Sequence, residues 1–423
     1  MDREAREDVL MELSTIRQQV DRSLTRTPIV DIHTHIYSEA FGDLLLWGID
    51  ELLTYHYLVA ELFRYRPDLT YADFWAQPKA KQAELIWDEL FVRHTPLSEA
   101  TRGVLTTLRL LEIDVEQRSL DRIRQTYARF STAEFIDRVF AVADVQMAIM
   151  TNDPFNAKEQ AVWNAGGQRD PRFRAALRLD RLLNEFPLSL PELNAQGFPA
   201  FSRLDRRTIT AVRDFLNTWI ERMQPAYLAV SLPPSFRMDD DSDRAQLITE
   251  CVLPVAQETQ RPLALMIGVK KRVNPELGDA GDSVGKADVG VLETLCRDFP
   301  RVRFLVTMLS RENQHELCVA ARKFRNLLPF GCWWFLNNPS IIREIATERF
   351  ELLGLTAIPQ HSDARVLDQL IYKWAHSREI IGDVLAQRYF DLSRAGWTVT
   401  EEEIQRDAQT ILGGGLLLEQ PSV

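Results

Sequence analysis

Apolar positions along the chain follow two patterns, and the pattern changes near residue 144. After the break at Thr27-Pro28, the β-branched run IVDIH predicts a buried strand from Ile29 to His33. From about residue 38 to about residue 143 the spacing is helical throughout. IDELLTYHYLVAELFRY, AKQAELIWDELFVRH, EATRGVLTTLRLLEI and TAEFIDRVFAV each repeat apolar residues at intervals of three and four. A stretch of that length is too long for a plain connection, so it must carry structure of its own. Beyond it, short continuous apolar runs return: VQMAIMT (145–151), FRAALRLD (173–180), AYLAVSL (226–232), PLALMIGV (262–269), VRFLVTML (302–309), LLPFGCWW (327–334) and TAIPQHSD (356–363). Most are separated by helical segments. Continuous runs suit strands covered on both faces. With IVDIH they make eight strands alternating with helices, which predicts an α/β fold of the (β/α)8 TIM-barrel type. A doubly wound open sheet fits less well, because no glycine-rich phosphate loop follows the first strand. The expected organisation is an N-terminal helix over 1–27, a barrel built from 28–37 and 144–423 with C-terminal helices, and an all-helical insertion over 38–143.

Composition narrows the function. Of 423 residues, 45% are apolar and 26% charged, which excludes a disordered, collagen-like or disulfide-scaffold chain. Acidic residues outnumber basic ones 61 to 50, for a net charge of −11. Such a chain is a poor nucleic-acid binder, since phosphate neutralisation needs clustered Lys and Arg. A small anionic substrate is not excluded, because it responds to local charge. Cys251, Cys296, Cys318 and Cys332 form no C-x-x-C pair, as expected of free thiols in a reducing compartment. The N-terminal sequence lacks the apolar core of a signal peptide, and no stretch has the apolar length of a membrane span. A cytoplasmic protein without membrane contact is expected.

Four constellations carry candidate chemistry. His33-Thr34-His35 ends the first strand. Residues two apart on a strand face the same side, roughly 6–7 Å apart, so both imidazoles can hold one divalent metal at the catalytic end of a barrel. Two surface histidines in a loop are the plain alternative. His361-Ser362-Asp363-Ala364-Arg365 ends the eighth strand. In a closed barrel that strand lies beside the first, so Asp363 would face His33 and His35. Two histidines and a carboxylate suit zinc or a similar metal, and the Arg365 fork suits a carboxylate. Alternatively Asp363 caps the next helix. His56 and Tyr57 cannot share one spot on a helix face, so they would flank a site at a helix or turn end, unless they only pack the insertion onto the barrel. Trp333 and Trp334, in FGCWWF, can wall a pocket or fill the core. Arg178 and Asp180 end strand three.

Taken together these residues resemble the uronate isomerases of the amidohydrolase superfamily. H-x-H after strand one, His-Tyr in the insertion, Gly-x-Trp-Trp-Phe at strand seven and Asp-x-Arg at strand eight carry the resemblance. TNDP (151–154), ALRLD (176–180) and GDSVG (281–285) extend it over most of the chain. The family is one of metal-containing (β/α)8 barrels that interconvert D-glucuronate and D-fructuronate, or D-galacturonate and D-tagaturonate. By position, His33, His35 and Asp363 would be metal ligands, with zinc the expected metal. His56, Tyr57, Arg178, Trp334 and Arg365, with Trp333 beside them, would line the substrate site. Two departures stand out: Met266 occupies a position where the family usually carries a histidine, and Leu-Val-Ala follows His56-Tyr57 in place of a basic run.

The implied reaction moves a proton from C2 to C1 of an open-chain uronate through a cis-enediol. Arg365 would grip the C6 carboxylate. Asp363 is the first candidate for the base and His56 the second, with Tyr57 assisting transfer to oxygen. The expected partner is a small anionic sugar acid, with homo-oligomerisation left open. Competing readings are a metal-dependent hydrolase or decarboxylase of the same superfamily and an inactive sugar-acid-binding barrel. A two-metal hydrolase would need further histidines, and the strand-six region offers only His315, well into the next helix.

Overall fold

The computed structural model describes residues 3–418, with side chains from residue 12 onward. Seven strands form one sheet: β1 (Ile29–Thr34), β2 (Val145–Asn152), β3 (Phe173–Arg178), β4 (Leu228–Leu232), β5 (Leu263–Ile267), β6 (Phe304–Met308) and β7 (Leu327–Pro329). They are hydrogen-bonded in chain order, and every pairing is parallel. Parallel neighbours require each connection to travel back outside the sheet, which is where the helices run. The strand runs are apolar throughout because both faces are covered. Along β5, Leu263, Leu265 and Ile267 join one apolar cluster while Ala264 and Met266 join another. The second cluster, with Ala176, Ala229, Leu305 and Phe330, lies on the opposite face of the strands. Leu417, on the short helix Gly415–Leu418, is buried against it, and Arg303 donates to the Leu416 carbonyl.

The eighth expected strand takes a different form. Residues 356–364 are not a regular strand, yet their backbone joins both edges of the sheet. On one side Ile358 N–H donates to the Pro329 carbonyl (3.0 Å) and Gly331 N–H to the Ile358 carbonyl (2.9 Å). On the other, Asp363 N–H donates to the His33 carbonyl (3.1 Å) and His35 N–H to the Ala364 carbonyl (2.7 Å). Regular pairing fails in between because Pro359 has no N–H and Asp363 is left-handed, with φ 52°. The run at 327–334 is also shorter than its apolar content predicts. β7 stops at Pro329, and Trp334 sits in a tight turn.

Between β1 and β2 the chain is helical. The run IDELLTYHYLVAELFRY is not one helix: it breaks into Ile49–Leu53 and His56–Tyr65, with extended Tyr55 as the cap. His56 is therefore the first residue of its helix. This block is tied to the body through buried Asp368, which accepts from Tyr127 Oη (2.7 Å) and Gly48 N–H (2.9 Å). The N-terminal helix Arg3–Thr25 buries Val20 and Leu24, and its Arg17 donates to a carbonyl of the long helix Gln369–Arg394. No helix among the described residues is long and apolar enough to cross a membrane.

Gly331 marks where β7 meets the closing segment. Its φ is +62°, and a β-carbon there would lie 1.7 Å from His361 Nδ1. Gly331→Ala is expected to lower stability by about 3 kcal/mol, combining backbone strain and overpacking, as measured by equilibrium unfolding.

Candidate functional site

His33 lies at the end of β1 and His35 just beyond it, and their rings meet edge to face with centroids 5.3 Å apart. The backbone closure described above sets Asp363 across from them. Its Oδ1 is 3.6 Å from His33 Nε2 and 3.5 Å from His35 Nε2. The candidate ligand atoms of the three residues all lie within 4.8 Å of one another.

Fit to a cation can be judged from their hydrogen bonding. Tyr227 Oη donates to the Ile32 carbonyl (2.8 Å) and lies 3.0 Å from His33 Nδ1. With its proton committed, the phenol oxygen accepts from Nδ1–H, so the lone pair of His33 is on Nε2. That Nε2 and Asp363 Oδ1 are buried without a hydrogen-bond partner among the described residues. Burial lowers the basicity of His33 and His35, which keeps them neutral. Burial would raise the Asp363 carboxyl, but His35, His33 and His361 beside it hold it well below the usual carboxylate range. Two imidazoles and one carboxylate, with the His33 lone pair and Asp363 Oδ1 buried and unpartnered among the described residues, fit a divalent cation.

Asp363 is strained, and its neighbours hold it in place. A left-handed non-glycine residue costs of order 1–3 kcal/mol and persists only when over-determined. Asp31, on β1, accepts from Ser362 N–H (3.1 Å) with one oxygen and from Trp374 Nε1 (2.8 Å) with the other. Asn337 Nδ2 donates to the Ser362 carbonyl (3.0 Å), and Ala364 N–H donates to Ser362 Oγ (3.1 Å).

Beside these residues the helical segment between β1 and β2 meets the turn after β7. Trp334, itself left-handed at φ 47°, donates from Nε1 to His56 Nε2 (3.0 Å). His56 therefore carries its proton on Nδ1. Burial, then the Arg365 charge, lowers its pKa to about 3. Tyr57 packs edge-on against His56, and its hydroxyl is buried without a hydrogen-bond partner among the described residues. Tyr55, His56 and Arg365 line a cavity of about 540 Å³ with Asp279 and Trp75. Arg178 pairs with Asp180 at 3.1 Å, and its charge acts on both His33 and His35.

Trp333 is placed differently from its neighbour. It is buried in the apolar cluster with Phe330 and Ile358, while Trp334 is half-buried at the wall. Met266 is buried in the same cluster and offers no metal ligand of the imidazole kind. His315 is exposed and bonds to Glu348. Sequence reasoning missed Tyr227 and Asp31, which orient His33 and Ser362. It also missed Lys271, whose ammonium lies 5.5 Å from the Trp334 ring centre. The basic run KKR after strand five was the available signal for Lys271. No local pattern marks Tyr227. Trp334→Phe should free His56 Nε2 and move the imidazole titration upward, because a donor to the neutral ring opposes protonation. NMR titration of His56 would read that shift.

No family model matches the chain, and no curated protein matches it. Solved structures do. A uronate isomerase from Bacillus halodurans is 51% identical, with 96% of each chain covered and a TM-score of 0.94. A uronate isomerase from Thermotoga maritima is 16% identical, covering 95% of this chain and 97% of that one, with a TM-score of 0.75. A glucuronate isomerase from Caulobacter crescentus is 15% identical, covering 97% and 95%, with a TM-score of 0.76. The last two share the fold; the first shares half of its residues over nearly its whole length, and on that ground the chain belongs to the uronate isomerases.

Proposed function

We propose that this protein interconverts an aldohexuronate and its 2-keto isomer, D-glucuronate with D-fructuronate or D-galacturonate with D-tagaturonate. In this reading residues 28–37 and 144–423 form a (β/α)8 barrel, with 356–364 in the place of the eighth strand. Residues 38–143 are an insertion that walls its mouth. The observation that carries the reading is the His33, His35 and Asp363 triad, near enough to Arg365 and His56 that the Arg365 charge acts on His35 and the Asp363 charge on His56. A divalent metal held by these three residues, zinc in our reading, would supply positive charge near the C1 and C2 oxygens of the sugar.

The chain's own residues divide the remaining work. Arg365 takes the C6 carboxylate, which fixes which end of the open-chain sugar reaches the triad. Arg178 adds a second fixed positive charge beside the histidines. Asp363, fully ionised, is the base that removes the C2 proton. His56 carries its proton on Nδ1 and donates to the C1 oxygen as negative charge develops there, with Tyr57 alongside. The resulting cis-enediol then loses a hydroxyl proton at O2 and receives one at C1, which leaves the ketose.

Incubation with D-glucuronate in D₂O, followed by proton NMR, tests the reaction directly. Deuterium at C1 or C2, or a ketose signal, is expected, and an unchanged spectrum with each uronate would end the reading. Arg365→Lys keeps the charge and loses the fork. We expect kcat/KM to fall about tenfold to a hundredfold, the value of a charge-assisted hydrogen bond. Tyr227→Phe removes the acceptor for His33 Nδ1–H. Its divalent-metal affinity, read by chelator competition, should drop about 10- to 100-fold.

A further inference from the structure

Gln360 is buried on the closing segment, three residues before Asp363. Its side-chain amide uses both lone pairs and both protons. Oε1 accepts from Cys332 N–H (2.8 Å) and from its neighbour His361 N–H (3.0 Å). Nε2 donates to Asn337 Oδ1 (3.2 Å) and to Ser377 Oγ (3.1 Å). The amide has one allowed orientation, because two backbone N–H groups face its oxygen and a flipped amide would set its own N–H groups against them. Asn337 is oriented in the same way. Its Nδ2 donates to the Ser362 carbonyl (3.0 Å), which turns Oδ1 toward Gln360.

Cys332 and Asn337 bracket one short stretch of chain. Between them Trp334 opens the tight turn Trp334–Leu336 at φ 47°, and its indole donates to His56 Nε2 (3.0 Å). The turn's own backbone bonds are local: Leu336 N–H donates to the Trp333 carbonyl (3.0 Å) and Asn337 N–H to the Trp334 carbonyl (3.0 Å). They shape the turn without tying it to another segment. Gln360 makes that tie at both ends, by its oxygen at Cys332 and by its nitrogen at Asn337. A left-handed residue other than glycine persists only where its surroundings over-determine it, and a fully satisfied buried amide does this stiffly. We propose that Gln360 is a positioning residue for the isomerase reaction: it clamps the turn that carries Trp334 to the segment that carries Asp363, and through Trp334 it sets where His56 stands relative to the triad. This rests on the reading above in which His56 and Asp363 act on one sugar.

Gln360→Met keeps the length of the side chain and removes all four bonds. On the full chain, NMR reads hydrogen exchange at the Trp334 indole and the titration of His56, and steady-state kinetics read turnover of D-glucuronate. Indole exchange should quicken about three- to tenfold, the worth of one neutral hydrogen bond. His56 should titrate at higher pH as its donor is loosened, and kcat should fall more than KM changes. Asn337→Ala frees one end of the turn, and it should move the same readouts in the same direction even where Gln360→Met does not fold. Ser377→Ala removes the one Gln360 bond that reaches neither the turn nor the closing segment. Val212→Ala lowers stability from the helix Arg206–Met223, where Val212 is buried. Both should leave the readouts within error. Unchanged indole exchange and His56 titration in Asn337→Ala, or in a folded Gln360→Met, overturn the proposal. So does an equal change in Ser377→Ala or Val212→Ala, which would make the effect general loosening, and so does an unchanged kcat beside a shifted His56. If wild type turns over neither uronate, the proposed function falls, while exchange and titration still decide whether the clamp exists.

Discussion

Two backbone hydrogen bonds, from Asp363 N–H to the His33 carbonyl and from His35 N–H to the Ala364 carbonyl, hold the two halves of the site together. They join segments more than three hundred residues apart in sequence. A side chain on a sheet is aimed by its backbone register, and a slip of one residue would turn it to the opposite face. With this register, His33, His35 and Asp363 point at a common space. The closing segment tolerates irregularity elsewhere, at Pro359 and at the left-handed Asp363, because the bonds on either side fix its ends.

That closure is supported from beneath. Asp31 sits two residues before His33 on the same strand and binds the amide of Ser362, one residue before Asp363. One carboxylate thus couples the strand that carries the imidazoles to the segment that carries the carboxylate. Tyr227 does the equivalent for His33, fixing which ring nitrogen presents its lone pair. Both supports are buried in a setting where an unpaired polar group is costly, so the geometry they impose is stiff.

Charge is arranged locally, against the grain of the whole chain. The protein carries a net charge of −11, yet Arg178 and Arg365 both raise the potential at His35. The helical segment between β1 and β2 contributes His56, at the start of its helix, where the break at Tyr55 brings the imidazole against Trp334. Burial is also what lowers the basicity of His33, His35 and His56.

Strand content was legible because buried parallel strands need continuous apolar runs, and each of the seven strands of the sheet overlaps a run visible in the sequence. The type of element between β1 and β2 was legible for a similar reason, since helical periodicity survives without knowledge of what it packs against. H-x-H and Asp-x-Arg could be paired on paper because closing the expected barrel would set the eighth run beside the first. Tertiary structure alone decided the rest. Whether His56 is a helix interior or a helix start depends on a break that no proline or glycine announces. Whether Trp333 or Trp334 meets His56 depends on a left-handed turn. Tyr227 and Asp31 acquire their partners, His33 and Ser362, only when distant chain segments meet. Local sequence encodes propensity and period, but it carries no record of which groups will be brought within hydrogen-bonding distance.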